Sequence, residues 1–97
     1  MIFAEIEYQS EYRDFHPELA AYIGAQFSLV KSGLQGDSWI WILDGEEKVA
    51  VDTFSSMKHQ IKSQKDGQHV QNVIETLRLK YKVRVYETPE LEGHEDV

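Results

Sequence analysis

The amino-acid sequence predicts an α+β fold, a two-layer sandwich in which two helices cover one face of a mainly antiparallel sheet. The chain has 97 residues, which suits a single domain. Several short segments alternate apolar and polar residues as strands do, and two longer segments place apolar residues at helical spacing. We expect the order β-α-β-β-β-(β)-α-β, a ferredoxin-like variant, over residues 1–87, followed by a flexible acidic tail over residues 88–97.

The first predicted elements are an N-terminal strand and a helix. The strand alternates two sets, an apolar one that we place towards the core and a second one on the opposite face: Ile2, Ala4, Ile6 and Tyr8 against Phe3, Glu5 and Glu7. His16-Pro17-Glu18 indicates the helix start, because proline is tolerated at the first helical position and an acid suits the positive end of the helix dipole. Gly24 favours an early end of this helix, with the second strand near residues 27–32.

A hairpin is the clearest strand pair in the chain. Asp44-Gly45 is typical of a type I′ turn, and it separates strands predicted over residues 38–43 and 47–54. A loop of two or four residues pairs odd positions of one strand with even positions of the other. One face then carries Ile40, Ile42, Val49, Val51 and Thr53, and the other carries Trp39, Trp41, Lys48, Ala50 and Asp52. The apolar set belongs under the helices, so the tryptophans point away from them, unless a three-residue loop with a bulge changes the pairing.

The second half of the chain predicts three further elements. Residues 55–64 fit either a helix or an edge strand, and we favour the edge strand because lysines commonly protect exposed sheet edges. Asp66 is the candidate N-cap of a helix whose apolar positions follow helical spacing: Val70, Val73, Ile74, Leu77 and Tyr81. A final strand over residues 82–87 would lie beside the first strand, with Glu5 and Glu7 across from Lys82 and Arg84.

Composition and charge exclude several classes of protein. The net charge is −7, and basic residues concentrate in residues 55–86, which hold seven bases and two acids. An acidic total disfavours a general nucleic-acid binder, because phosphate neutralisation supplies most of that affinity. The chain has no cysteine and no apolar run near the roughly 18–20 residues of a membrane span. No export signal is visible in the sequence at the N-terminus, so we expect a cytoplasmic protein.

No motif indicates catalysis, a metal or a cofactor. The four histidines, at positions 16, 59, 69 and 94, lack the spacing of zinc ligands and are expected to have ordinary polar roles. The segment from Asp52 to His59 contains the residue types of a nucleophilic triad without the sharp turn that presents the nucleophile. Glu46-Glu47 lies at a hairpin tip where water keeps both carboxylates ionised. Phosphate-binding glycine motifs are absent from the sequence, and we expect no enzyme, no cofactor and no metal.

The tryptophan side of the sheet is the candidate contact surface, because exposed aromatic patches commonly mark binding sites. The predicted partner-binding residues are Trp39, Trp41, Lys48, Asp52, Phe3, Arg84 and Tyr86. The partner is another protein or a second copy of the chain. The alternative is that loops or the C-terminal tail cover the indoles.

Acidic side chains in loops, a helix entry and a hairpin tip form a second candidate surface: Asp37, Asp44, Glu46, Glu47, Glu11 and Asp14. They suit a basic, nucleic-acid-handling partner that the protein would occupy as an inhibitor or a nucleic-acid mimic, although acids also serve solubility alone. We therefore expect a small acidic non-enzymatic binding or regulatory protein. The alternative is a small-ligand or single-stranded nucleic-acid binder that uses the aromatic sheet, although the RNA-binding signature [KR]G[FY][GA]FV is missing.

Overall fold

A computed structural model of the chain describes residues 1–92. Its elements are β1 (Ile2–Glu7), α1 (Tyr12–Gln26), β2 (Val30–Gln35), β3 (Asp37–Asp44), β4 (Glu47–Asp52), β5 (Gln60–Lys62), α2 (Gln68–Arg78) and β6 (Lys82–Glu90). His94 and the end of the predicted tail lie outside the described residues. Neither described helix is long and apolar enough to cross a membrane.

The six strands form one antiparallel sheet in the order β2-β3-β4-β5-β1-β6. Helix α1 packs on β2 and β3, and α2 packs on β4, β5 and β6. The α+β two-layer sandwich is thereby confirmed, whereas the ferredoxin-like strand order is not. We call the helix-covered side of the sheet the inner face and the opposite side the outer face.

The core lies between the helices and the inner face. Leu19 and Ile23 of α1, with Val70 and Leu77 of α2, are fully buried against the sheet. Burying such a side chain stabilises the fold by about 1.5–3 kcal/mol. The core therefore holds both helices to one side of the sheet, and neither helix of residues 1–92 covers the outer face.

The β3–β4 hairpin confirms the predicted faces. Trp39 pairs with Asp52 and Ile40 with Val51, so odd positions of β3 meet even positions of β4. Ile40 and Val51 are fully buried on the inner face. The turn differs from the predicted type I′. Asp44 pairs with Glu47, and Gly45 takes the positive φ of 61° as the first of two loop residues, the pattern of a type II′ turn.

Helix α1 begins earlier and ends later than its sequence predicts. It starts at Tyr12, so Pro17 lies inside the helix, where it costs the bond that its missing N–H would have donated to residue 13. Gly24 is exposed and does not end the helix, which continues to Gln26. Buried Leu19 and Ile23 supply the packing that outweighs both unfavourable residues. Strand β2 consequently starts at Val30, later than predicted.

A bulge in β1 makes the prediction for Phe3 wrong. Ile2 pairs with Lys62 and Ala4 with Ile61, so two residues of β1 span one step of β5. The pairing places Ile2 on the outer face and leaves Phe3 in the core, where only 4% of it is exposed. Phe3 cannot contribute to a contact surface on the outer face.

Strand β5 is an interior strand, so the predicted edge strand at residues 55–64 is wrong. It lies between β4 and β1, and all three of its residues are buried. Its lysine, Lys62, does not protect an edge but forms buried ion pairs. Residues 55–59 form a loop in which Met57 is exposed.

The C-terminal elements agree more closely with prediction. Helix α2 buries four of its five predicted apolar positions, whereas the fifth, Tyr81, follows the helix and is half-buried. Its N-cap is Gly67 rather than Asp66, whose carboxylate instead accepts the Gly67 N–H at 2.7 Å. Strand β6 lies beside β1 and continues to Glu90. Ion pairs join Lys82 to Glu7 at 3.4 Å and Arg84 to Glu5 at 3.8 Å, as predicted.

Candidate binding site on the outer sheet face

The outer face carries the only tryptophans of the chain, both half-buried. The ring centroids of Trp39 and Trp41 lie 4.6 Å apart with an interplanar angle of 43°. A Cβ atom on Gly33 of the neighbouring strand β2 would lie 2.5 Å from Cζ2 of Trp39. The Trp39 indole therefore lies flat on the backbone of β2, and only glycine at position 33 leaves room for it.

Trp41 is accompanied by a cation. The Lys48 Nζ lies 4.3 Å from the centroid of the Trp41 ring, within the range of a cation–π interaction. Lys48 itself is exposed. Trp39 and Trp41 thus form an aromatic pair with the exposed positive charge of Lys48 at its side.

A buried charged cluster adjoins this pair. The Lys62 Nζ lies 2.7 Å from Asp52 Oδ1 and 2.6 Å from Glu92 Oε2, and about 6% of the Lys62 side chain is exposed. Ser55 Oγ donates to the same Glu92 oxygen at 2.5 Å. One cation therefore serves two carboxylates, one of them contributed by the segment that follows β6.

A pocket of about 400 Å³ lies between the aromatic pair and the charged cluster. Its lining consists of Trp41, Lys48, Ala50, Asp52, Phe54, Ser55, Lys62, Ser63, Gln64 and Glu92. The Phe54 ring is 55% exposed, and Lys62 Nζ lies 5.9 Å from its centroid. The pocket thus combines apolar ring surfaces with charged groups at its base, the composition that binds small organic molecules.

The β1–β6 side of the outer face is polar. Glu5 accepts a 3.4 Å hydrogen bond from Gln60 Nε2 and a 3.5 Å one from the Tyr86 hydroxyl, and Arg84 lies 5.0 Å from the centroid of the Tyr86 ring. Gln60 Oε1 is buried and has no hydrogen-bond partner within residues 1–92. Arg84 and Tyr86 thus lie on the predicted face, where Glu5 forms an ion pair with Arg84 and accepts the hydrogen bond from Tyr86.

The predicted acidic residues do not form one surface. The Tyr12 hydroxyl donates to the Gly36 carbonyl, which places the start of α1, with Glu11 and Asp14, beside the β2–β3 turn and Asp37. Asp44, at the other end of β3, is about 23 Å from Asp37 at roughly 3.3 Å per residue. Two smaller acidic groups therefore lie at opposite ends of the hairpin.

The acidic group at the hairpin tip is partly neutralised. Glu47 lies 2.9 Å from Lys65 Nζ and 3.8 Å from His69 Nε2. The hydrogen bond from Lys65 lowers the pKa of the Glu47 carboxyl, and the same contact raises the pKa of Lys65. Of the tip residues, Asp44 and Glu46 are exposed.

The inner face holds a buried hydrogen-bond chain that sequence reasoning missed. Ser38 Oγ lies 2.5 Å from His16 Nδ1 and 2.7 Å from His59 Nε2, and His59 Nδ1 lies 2.7 Å from the Tyr8 hydroxyl. These four residues are far apart in sequence, and only the alternation of β3, which turns Ser38 to the same side as Ile40, hints at a buried polar position.

Serine and histidine in this hydrogen-bond chain are residue types found in catalytic sites, but here solvent does not reach Ser38 or His59. Ser38 and His59 are fully buried. Burial lowers the pKa of His59 to about 4, so its imidazole is neutral at physiological pH. Ser55, which the sequence places near His59, bonds to Glu92 and Lys62 instead. These hydrogen bonds give each of the buried side chains a partner, as is usual for polar groups in protein interiors.

Within residues 1–92, no group of three or more potential ligand side chains is placed to hold a metal ion. His16 and His59 share Ser38, and His69 lies 2.9 Å from Ser63 Oγ.

Comparison of the chain with protein-family models, curated proteins and solved structures finds no match.

Proposed function

We propose that the protein is a non-enzymatic binding domain that contacts another protein through its outer sheet face. One observation carries the proposal. Trp39 and Trp41 are turned away from both helices and held 4.6 Å apart as a rigid pair. Rigid aromatic side chains give large contact area at low entropic cost and are enriched in the energetic centres of interfaces.

The charges around the indoles favour a protein over a nucleic acid. Lys48 and Lys31 flank Trp41, but Asp52, Glu5 and Glu92 lie on the same side of the sheet. These carboxylates repel phosphates, whereas a protein surface offers both signs of charge. The acidic groups at the two ends of the hairpin accelerate encounter with a basic partner and confer dependence on salt.

The test is a pull-down with tagged wild type, Trp41→Ala and Leu79→Ala, followed by titration of the purified captured protein. Leu79 is a matched control because it is 83% exposed and follows α2, on the helical layer. We expect Trp41→Ala to weaken binding at least tenfold, as removal of a central aromatic residue does, and Leu79→Ala to bind like wild type. Equal affinities of Trp41→Ala and wild type would refute the proposed surface.

Gel filtration distinguishes the second possible partner, another copy of the chain. A wild-type dimer that becomes monomeric in Trp39→Ala/Trp41→Ala would assign the outer face to self-association. A dimer that survives both truncations would place its interface elsewhere.

A further inference from the structure

We propose that the pocket between Trp41 and Phe54 binds an aromatic monocarboxylic acid, and that Glu92 occupies the carboxylate position of this site as an internal competitor. The inference goes beyond the protein contact proposed above. The two sites share Trp41, but the pocket also requires Lys62, Ser55 and Phe54, whereas the protein contact requires Trp39.

The carboxylate position is built from fixed donors. Lys62 belongs to the interior strand β5, and Ser55 Oγ lies 3.4 Å from its Nζ. Both side chains donate to one oxygen, Glu92 Oε2, at 2.6 and 2.5 Å. Such short charge-assisted bonds are the mark of a carboxylate-binding position.

The occupant, in contrast, lies outside the sheet. Glu92 follows β6, which ends at Glu90, and has no regular secondary structure. A side chain outside the sheet can leave without breaking the ladder of backbone hydrogen bonds. The donors therefore persist while their acceptor exchanges.

Charge selects the class of the incoming ligand. The charged residues that line the pocket are Lys48, Lys62, Asp52 and Glu92, which sum to zero. Departure of Glu92 leaves one positive charge in excess, and one carboxylate restores neutrality. Asp52 stays paired with Lys62 at 2.7 Å, so a neutral acceptor would replace the charge-assisted bond of Glu92 with a weaker one, whereas a carboxylate restores it.

The apolar residues that line the pocket favour an aromatic group on the ligand beside its carboxylate. Trp41, Ala50 and Phe54 supply apolar surface, and about 400 Å³ accommodates a substituted aromatic ring. Phe54 is 55% exposed, so its ring has surface available for stacking.

An internal competitor weakens the affinity for external ligand. A side chain tethered near its site acts at an effective concentration in the millimolar range, so the wild type binds a free carboxylate poorly. Removal of Glu92 exposes the site. We expect Glu92→Ala to bind benzoate at least tenfold tighter than wild type.

The experiment titrates benzoate into wild type, Glu92→Ala and Glu90→Ala and follows the indole N–H resonance of Trp41 by NMR. Glu90→Ala is the matched control because it removes the same charge two residues away, from an exposed position of β6. We expect Glu90→Ala to bind like wild type and neutral benzamide to bind Glu92→Ala at least tenfold more weakly than benzoate does. Ser55→Ala in the Glu92→Ala background should weaken benzoate binding again.

Equal benzoate affinities for Glu92→Ala and Glu90→Ala would overturn the internal-competitor assignment, and tighter binding of benzamide than of benzoate would overturn the carboxylate class. Either failure leaves protein capture by the indole pair intact. Conversely, a Trp41→Ala variant that no longer captures the protein partner, beside a Phe54→Ala variant that still does, would show that protein capture does not require the pocket.

Discussion

The two faces of the sheet each enclose a polar cluster, and the clusters differ in charge. On the inner face, Ser38 and His59 form a neutral chain in which each buried group has a partner. On the outer face, Lys62 is paired with Asp52 and with Glu92. β5 and the residue before it supply both clusters, because His59 and Lys62 point to opposite sides.

The difference separates a structural role from a binding role. The inner chain is closed, neutral and covered by helices, so it stabilises one packing of the core. The outer cluster is charged and includes Glu92 from the segment after β6, the member that we propose to exchange with a ligand.

The largest expected effect is on the outer cluster. Lys62→Met leaves the carboxylate of Asp52, about 4% exposed, without its cation. Removing one partner of a buried ion pair costs about 3–5 kcal/mol in the free energy of unfolding. Urea denaturation followed by circular dichroism measures the loss.

Lys62→Met also takes the cation from Glu92, but Asp52 is the more deeply buried of the two carboxylates, so the double variant Asp52→Asn/Lys62→Met removes the costlier stranded charge and should recover more than about 1 kcal/mol. Asparagine retains the oxygen that accepts the Phe54 N–H at 3.2 Å. A single variant that loses less than about 1 kcal/mol would show that the cluster is solvated like a surface pair.

The inner chain should make stability depend on pH. Burial lowers the pKa of His59 from its ordinary value of 6.5 to about 4, so the unfolded chain binds a proton at a higher pH than the folded chain does. Stability is complete above pH 6.5 and is lost as the pH falls towards 4. Between pH 7.5 and 5 the loss is about 2 kcal/mol, and urea denaturation at these two pH values measures it.

His59→Phe is the control for this dependence, because it cannot titrate at position 59. We expect a less stable protein whose remaining pH dependence is smaller by about 2 kcal/mol over the same interval. A pH dependence as steep as that of the wild type would show that His59 is not its source.

The smallest expected effect concerns Gly33, on which the Trp39 ring packs. Gly33→Ala places a Cβ 2.5 Å from the Trp39 ring, which must move off β2, at a cost of about 1 kcal/mol. Tryptophan emission should shift to longer wavelength as the indole meets water. Gly24→Ala is the matched control: its Cβ meets nothing within 4 Å, and alanine should stabilise α1 by roughly 0.5–1 kcal/mol. An unchanged emission spectrum in Gly33→Ala would contradict this packing.

The sequence predicts best where short-range pattern decides the structure. Hairpin parity places Trp39 and Trp41 correctly on the outer face, and the apolar spacing of α2 identifies its buried side. Charge alternation also identifies the pairing of Glu5 with Arg84. These features depend on periodicity and on one turn, which a single sequence carries.

The remaining features depend on contacts between distant segments. Phe3 changes face through a bulge, and Lys62 is buried because β5 is inserted between β1 and β4. The pocket joins Trp41 and Glu92, which only the folded chain brings together. Periodicity carries no information about such an insertion. The sequence therefore predicted Trp41, Lys48 and Asp52 of the pocket but not Phe54, Lys62 or Glu92.

The inner hydrogen-bond chain also has a direction. A hydroxyl and a neutral imidazole each donate one proton, so the orientation of Ser38 decides which nitrogen of His59 carries hydrogen, and that choice decides whether Tyr8 donates or accepts. The four groups thus have two concerted arrangements rather than independent ones. A change of tautomer at His16 is therefore coupled through Ser38 to the position of the ring proton of His59 and to its contact with Tyr8.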